Sequence, residues 1–577
     1  MRWLIVLVAA CSAGSPGPGI DVDRAIAHVG ELCAIGPRPG DGPEARRAAA
    51  YIDAQLEVMG LRAERLEVGA VDLPAIDVLG THWRSAHRVE TTDPDLIIRF
   101  GPPGRALVIT AHYDTVVGSP GAVDNAAAVA ILIELARVLR DQPPPQSVIL
   151  AFTANEEIGL VGAEALAERM RTDVDFAIAL DLVGGSGPLV INGASTLIGK
   201  SELAWIADAA DRAGVAITAP PVHRVISRWW PQAERADHGA FTRRGIRAVH
   251  FYDRGQDGER IDLAYHSARD VPARVDRASV AEVGRLLRAL AAAPPPAHDG
   301  DGYWIPTTRT VVPRWTLVAF ELLLAAAAVF LLVRMPRGKP VARPRTPLPR
   351  RLRNAGLVLG LVCYALAVAA AIGLERAFAA DHPMPWIHAP LRAELAETAL
   401  VAGAFGLVTR VVGRFTPWIG ERRYLALATI LLLGFGGLFF ALGAPELAWV
   451  WLVPAVSVTA APRLPRMIAP VALIPAILPV ILVLAPAQLR EAAFNGFLPP
   501  SLPLAAWIGV LAAPSFAAVA WYLRPTGLGP LRSFVLSMGC ALAVLGGAIA
   551  LGISSPACSA AEFHQFHLAC EQTRTWP

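Results

Sequence analysis

Two histidines and a set of carboxylates are spread over five short segments of this chain: Ala-His112-Tyr-Asp114, Ala-Val-Asp124-Asn125, Asn155-Glu156-Glu157, Ala-Leu-Asp181-Leu and Ala-Tyr265-His266-Ser. A pair of zinc ions held close together needs one bridging carboxylate and two further nitrogen or oxygen ligands on each ion, with room left for a shared water. His112, Asp124, Glu157, Asp181 and His266 supply three carboxylates and two imidazoles, which meets that need. Glu156 is then a spare acid beside a ligand, placed to move protons. A His-x-Asp or a Glu-Glu pair alone is common by chance and carries little. Their conjunction, in order along one chain, predicts a metallo-hydrolase.

Such ligands need a frame. Residues 106–111, 147–152, 176–180 and 248–252 are short, continuous apolar runs of buried-strand type. Helical spacing of apolar residues marks 21–35 and 43–59, with Gly60 as a stop, and then 124–140, 160–171, 200–213 and 273–292. Strands alternating with helices predict an α/β three-layer sandwich, a mostly parallel central sheet flanked by helices. Ligands in such sheets gather at the carboxyl ends of strands. The first run ends at His112, the second leads into Glu156 and Glu157, and the third ends at Asp181.

A chain of 577 residues exceeds what one core serves. The mixed composition of 21–293 is that of a soluble domain, and Ala-Ala-Ala-Pro-Pro-Pro-Ala-His-Asp-Gly-Asp-Gly opens a linker assigned to 294–314. Residues 315–553 are mostly apolar segments of spanning length, an all-α transmembrane region of about eight helices. These fall near 315–333, 355–374, 394–409, 424–442, 447–461, 467–486, 504–523 and 533–552, and 554–577 forms an exposed tail. The stretch Arg334 to Arg353 holds eight Lys/Arg and no acid, so the positive-inside rule puts it in the cytoplasm and the first domain outside. Residues 1–20 read as a signal peptide, a lipoprotein signal with Cys11 lipidated, or a short anchor. The expected location is a membrane of the bacterial inner type, with the lipid bilayer as a partner and the soluble domain on the periplasmic or extracellular side. A net charge of +3 gives no reason to expect a nucleic-acid partner. Six cysteines make no disulfide framework, although Cys558 and Cys570 share the tail and could pair.

At six motifs the chain resembles the zinc aminopeptidases related to bacterial leucine aminopeptidase, peptidase family twenty-eight of clan MH. These are Ala-His112-Tyr-Asp114, Gly121-Ala-Val-Asp124-Asn125, Asn155-Glu156-Glu157-Ile-Gly159-Leu, Asp181-Leu-Val-Gly184, Asp237-His238-Gly-Ala-Phe241 and Tyr265-His266-Ser-Ala-Arg-Asp270, in family order over about residues 24–292. The resemblance implies two zinc ions and a peptide substrate. It implies that Asp124 bridges, that His112 and Asp181 complete one metal site, and that Glu157 and His266 complete the other. Glu156 would take a proton from the metal-bound water and pass it to the leaving amine. Asp114 would orient the His112 imidazole. Tyr265 or Tyr252 could donate to the oxyanion, with ordinary packing an equal reading. Arg235 and Asp237 would lie near the substrate, and for Asp237 a helix N-terminus is the competing role. Val123 and Ala236 replace polar residues common in the family, which bears on substrate preference. A peptidase domain followed by many spans also resembles the endoplasmic-reticulum metallopeptidase type.

Two other functions compete. A glutaminyl cyclase uses one zinc in a similar fold, but Trp is expected before its final His, where this chain has Tyr265. A transporter with an exported peptide-binding domain would carry ionisable residues within its spans, and apart from Glu321, Glu394 and Glu397 they are nearly free of them.

Overall fold

The computed structural model describes residues 19–335 apart from 74–75, 79–80, 85, 193–196, 220–233, 235, 254–265, 267, 301 and 306–309. Beyond these it describes 421–464 apart from 443–444, with short pieces near 362–366, 399–407, 475 and 538–549. The chain divides into two compact units, the first running to Val311 without 75–85 and 221–233, the second comprising those segments and Val312 onward.

The first unit opens with α1 (Val22–Ala34) and α2 (Pro43–Val58). Asp21 caps α1 by accepting from the Arg24 amide, and Ala25, Val29 and Leu32 form its buried stripe. Pro43 starts α2, where a missing N–H costs nothing, and Ala45, Ala48, Ala49, Ile52 and Leu56 face inward. Then follow β1 (Glu64–Leu73), β4 (His87–Phe100) and β5 (Ala106–His112), while β2 (Ile76–Val78) and β3 (Thr81–Arg84), between β1 and β4 in sequence, belong to the second unit. Next come α3 (Ala127–Asp141), β6 (Val148–Thr153), α4 (Val161–Arg169), β7 (Val174–Leu180), β8 (Leu189–Asn192), α5 (Lys200–Ala213) and β9 (Ile217–Thr218). The unit continues through α6 (His238–Arg243), β10 (Ala248–Asp253), α7 (Arg277–Ala291), β11 (Gly302–Ile305) and β12 (Thr310–Pro313).

Eight strands form one sheet in the order β1-β4-β6-β5-β7-β10-β8-β9. Its centre, β6-β5-β7-β10, is parallel, and these are the four strands visible as apolar runs. Both faces of that centre are covered, so β5 and β6 are buried at every position and show no alternation. Leu107, Ile109, Leu150, Phe152 and Ile178 pack with α1, α3 and α7, while Ala106, Val108, Ile149, Ala151 and Ala177 pack with α4 and α6. Each fully buried Leu, Ile or Phe contributes about 1.5–3 kcal/mol.

The sheet is mostly parallel, as expected, and mixed at its outer strands: β1 on β4, β4 on β6 and β8 on β10 are antiparallel, while β9 on β8 is parallel. β1 alternates exposed and buried positions and is rich in charge, so no continuous apolar run announces it. The helix expected over 124–140 begins instead at Ala127. Residues 122–126 form one wide turn in which Asp124 is extended (φ −117°, ψ 81°), freeing its side chain from the helix surface.

Residues 294–300, assigned to a linker, and Ala293 before them are bonded along α5, to Gln146 and to Arg247 just before β10. Gln146 Nε2 donates to the carbonyls of Leu290, Ala291 and Ala293, and Trp205 Nε1 also donates to Ala293. Arg247 donates to the Pro296 carbonyl at 2.6 Å, His298 Nδ1 lies 3.2 Å from Glu202 Oε1, and Asp299 accepts from the Ser201 amide at the start of α5.

In the second unit, α8 (Arg314–Val333), α9 (Glu421–Ala441) and α10 (Pro445–Ala460) are described. Arg314–Val333 and Arg422–Ala441 are long and apolar enough to cross a membrane, with mean hydropathy 2.5 and 2.1. Trp315, Phe320, Leu322, Leu323, Phe330 and Val333 of α8 are exposed, an arrangement that water disfavours. The spans expected at 355–374, 394–409, 467–486, 504–523 and 533–552 lie largely or wholly outside the described residues, as do residues 1–18, the 554–577 tail, Cys11, Cys558 and Cys570. Cys33, in α1, and Cys540 are free.

Candidate metal centre

The carboxyl ends of β5, β6 and β7 lie side by side, with His112 opposite Thr153 and Thr110 opposite Ala179. His112 is the last residue of β5, and Asp181 directly follows β7. The turn after β6 carries Asn155, Glu156 and Glu157. It is closed by Gly159 and Leu160 donating to the Glu156 carbonyl, with Asn155 and Leu160 in the left-handed region.

His112 Nε2 stands 3.3 Å from Asp124 Oδ1 and 3.5 Å from Asp181 Oδ1. The other Asp124 oxygen, Oδ2, is 3.3 Å from His266 Nε2, which is 3.0 Å from Glu157 Oε2. Asp124 therefore turns one oxygen toward each imidazole and belongs to two groups of three ligands, in each of which the ligand atoms lie within 4.8 Å of one another. His112, Glu156 and Glu157 form a third group on the same criterion, which puts Glu156 beside the pair.

The donor set fits divalent cations. His112 Nε2 and Glu157 Oε1 are buried with no hydrogen-bond partner, a state that buried polar atoms rarely keep. Burial opposes a charge on either imidazole. Even so, Glu156 with Asp114, Asp124 and Asp181 holds His112 well above the usual imidazole range, and Glu157 with Asp124 pushes His266 up to about 9. Asp124 is held below the usual carboxylate range: burial opposes this, and the two histidines outweigh it. The cluster holds protons where positive charge is wanted, and imidazole nitrogen with carboxylate oxygen is a donor set that suits zinc. Burial, reinforced by Asp181, Glu157 and Asp237 and opposed by His112, raises Glu156 well above the ordinary carboxylate range.

Asp114 touches both the His112 imidazole and the turn after β6. Its carboxylate is 3.6 Å from His112 Nδ1, too far for a hydrogen bond, and its backbone carbonyl accepts from that nitrogen at 3.1 Å. The carboxylate instead accepts from the amides of Glu156 and Glu157, both at 3.1 Å, and so fixes the turn that carries the acid pair. Asp237 does stand at the start of α6, but its side chain makes no cap there. It accepts from Thr153 Oγ1 at 2.6 Å, and burial pushes it up to about 6. Tyr252 stacks on His250, centroids 5.3 Å apart, and His250 Nε2 donates to the Asp181 carbonyl. Tyr265 and Arg235 lie outside the described residues.

Three supports escaped the sequence reading. Arg38, 1 % exposed, reaches from the α1–α2 loop to the carbonyls of Tyr113, Pro120 and Gly121 around the ligand loops and to that of Leu32. Asp253 accepts from the Gly184 and Gly185 amides and from Ser279 Oγ, and burial pushes it up to about 7. Asp270 accepts from the Val123 and Asp124 amides, and burial pushes it likewise to about 7. The Gly-Pro-Arg38-Pro-Gly surroundings marked a turn, and nothing in them marked a buried cation.

Among known proteins, the chain is similar to Aminopeptidase YwaD of Bacillus subtilis, 30% identical over 196 residues that cover 32% of this chain and 40% of the relative. It is also similar to a vacuolar membrane protease of Candida albicans, 34% identical over 87 residues, 15% of this chain and 10% of that one. The chain thus spans less than half the length of either relative. A crystal structure of a zinc aminopeptidase from Bacillus subtilis aligns over 47% of this chain and 94% of its own at 16% identity, with a TM-score of 0.38. Residues 96–291, the stretch that supplies all five candidate ligands together with Glu156, match the model of Peptidase family M28.

Proposed function

We propose that this protein is a membrane-anchored zinc aminopeptidase that removes N-terminal residues from peptides on the outer side of the membrane. The observation that carries the reading is Asp124, with one oxygen toward His112 and the other toward His266. His112, Asp124 and Asp181 would hold one zinc, and Asp124, Glu157 and His266 the second. Bound there, the ions supply Lewis acidity, lowering the pKa of water and polarising the scissile carbonyl.

The chain's own residues do the rest. Glu156 accepts a proton from the attacking water and returns it to the leaving amine, and its raised pKa suits a group that must both take and give. Asp114 holds the Glu156 amide, so the base stays in place while it changes protonation state. Burial around the site removes competing water and strengthens each charge interaction. Tyr265 as oxyanion donor and Arg235 and Asp237 as substrate contacts belong to this proposal on the strength of their motifs. The two apolar helices of spanning length and the match to a membrane protease support the anchor.

The test uses the full chain purified in detergent. Two zinc ions per chain are expected, with hydrolysis of aminoacyl substrates that have a free amine and none of their N-acetylated forms. Glu156→Gln should keep both ions and lose at least about 100-fold in kcat. Full activity in that variant sinks the assigned base. A single zinc with release of pyroglutamate would favour the glutaminyl cyclase, and peptide uptake that survives Glu156→Gln would favour the transporter.

A further inference from the structure

Around the cluster, buried aspartates grip backbone amides in adjacent pairs. Asp114 takes those of Glu156 and Glu157, and Asp253 takes those of Gly184 and Gly185. Asp270 takes three amides in a row. Its Oδ1 accepts from Val123 N at 2.9 Å, its Oδ2 from Asp124 N at 3.0 Å, and its own carbonyl from Ala122 N at 3.2 Å. Three consecutive amides of the bridging turn therefore end on one residue, which is 1 % exposed and lies four positions after His266.

These amides have few other places to go. They precede α3, where the first N–H groups of a helix lack partners within it, and Ala122, Val123 and Asp124 are themselves buried at 0 %, 2 % and 4 % exposure. A carboxylate meets the need because two convergent N–H groups require two acceptor oxygens, and an amide side chain offers only one. The segment His266–Asp270 thus contributes a ligand to one metal site at its start and, at its end, fixes the residue that both sites share.

We propose that Asp270 is the positioning residue that sets the Asp124 carboxylate between the two metal sites, so that the spacing of the pair is fixed by this carboxylate–amide clamp. The inference rests on the two-zinc reading above. Asp270→Asn keeps one acceptor and turns an NH2 group toward the second amide, so the bridging turn must rotate away. Asp270→Glu keeps both oxygens but displaces them by one methylene.

The experiment strips the full chain in detergent with a chelator and titrates zinc back by calorimetry, and cobalt back by its visible d–d absorption. The unaltered chain should take two equivalents. Asp270→Asn should bind the second roughly 10–100-fold more weakly, the usual scale for losing an outer support of a metal site. The cobalt band of the second equivalent should change in shape, and kcat should fall while KM stays within about threefold. A role confined to stability would lower the melting temperature and leave two equivalents with unaltered affinities and cobalt bands, and that result overturns the proposal. If Asp270→Asn does not fold, Asp270→Glu is read by the same titration, and unaltered binding overturns the proposal equally. Fewer than two equivalents in the unaltered chain would refute the two-zinc reading itself, whereas two equivalents of the same affinity in both chains refute only the role of Asp270.

Discussion

Replacing Arg38 by Met gives a quantitative test of how the ligand loops are held. The guanidinium donates to the carbonyls of Leu32, Tyr113, Pro120 and Gly121 at 3.2, 2.9, 2.7 and 3.1 Å, and the residue is 1 % exposed. Met fills most of the volume and supplies no donor. The Leu32 and Gly121 carbonyls also accept from the Ile35 and Ala126 amides, so Met strands those of Tyr113 and Pro120, and at about 1–3 kcal/mol each the low end comes to about 2 kcal/mol. Relief from burying the cation offsets part of the upper range, and for that reason the low end is used. For a domain of this size each kcal/mol moves the melting temperature by about 2–4 °C, which predicts a fall of about 4–8 °C. Thermal unfolding of the full chain at one fixed scan rate measures it, with the zinc content of the folded protein assayed in parallel. Zinc content should fall too, because Tyr113 follows His112 and Gly121 begins the Asp124 turn. A drop of less than about 2 °C with full zinc content would refute the reasoning, since the Tyr113 and Pro120 carbonyls would then have other partners.

Gly121→Ala should damage the same turn by a different route. Gly121 has φ +61°, and an added Cβ would lie 2.2 Å from Thr115 Cγ2 and 2.4 Å from the Asp124 carbonyl oxygen. The left-handed backbone alone costs an alanine about 1–2 kcal/mol, and the clash must move Asp124. Lower zinc occupancy together with a lower melting temperature is expected, and unchanged occupancy would show that the turn yields without moving its carboxylate. For pH, Asp253 is pushed up to about 7 in the folded chain, against about 3.9 unfolded. A carboxyl raised on folding gives stability that is full below about pH 4 and lost as pH rises through about 7. The chelator-treated chain should therefore melt lower at pH 8 than at pH 5, and Asp253→Asn should reduce that difference. Stability that rises between these two pH values would contradict the assignment.

The cluster of candidate ligands was legible because their chemistry is stated by residue type and order. His112, Glu157 and Asp181 stand at the ends of apolar runs, and the parallel strands β5, β6 and β7 that those runs form bring them together. The outer strands were not legible in the same way. β1 and the start of β4 are half-exposed and charged, so a search for continuous apolar runs passes over them. The supports were hidden for a further reason. Asp270 and Asp253 act on backbone amides, and an amide has no sequence identity, so nothing in the residue types reveals which acid it meets. Arg38 is an extreme case, a lone cation in a Pro/Gly turn whose partners are all carbonyls.

The strap formed by residues 293–300 bears on where this molecule can be severed. Its composition, three prolines amid alanine and followed by His-Asp-Gly-Asp-Gly, is what a protease would take for slack. Yet Ala293, Pro296, His298, Asp299 and Gly300 are each bonded to α5, to Arg247 just before β10 or to the loop before β6. A proteolytic active site needs several residues of extended, detachable backbone, and this stretch offers its backbone already engaged. Proteolytic separation of the first unit from the second would therefore have to occur beyond Gly300, and a fragment ended at residue 293 would remove the strap contacts of Arg247, Glu202 and the α5 N-terminus.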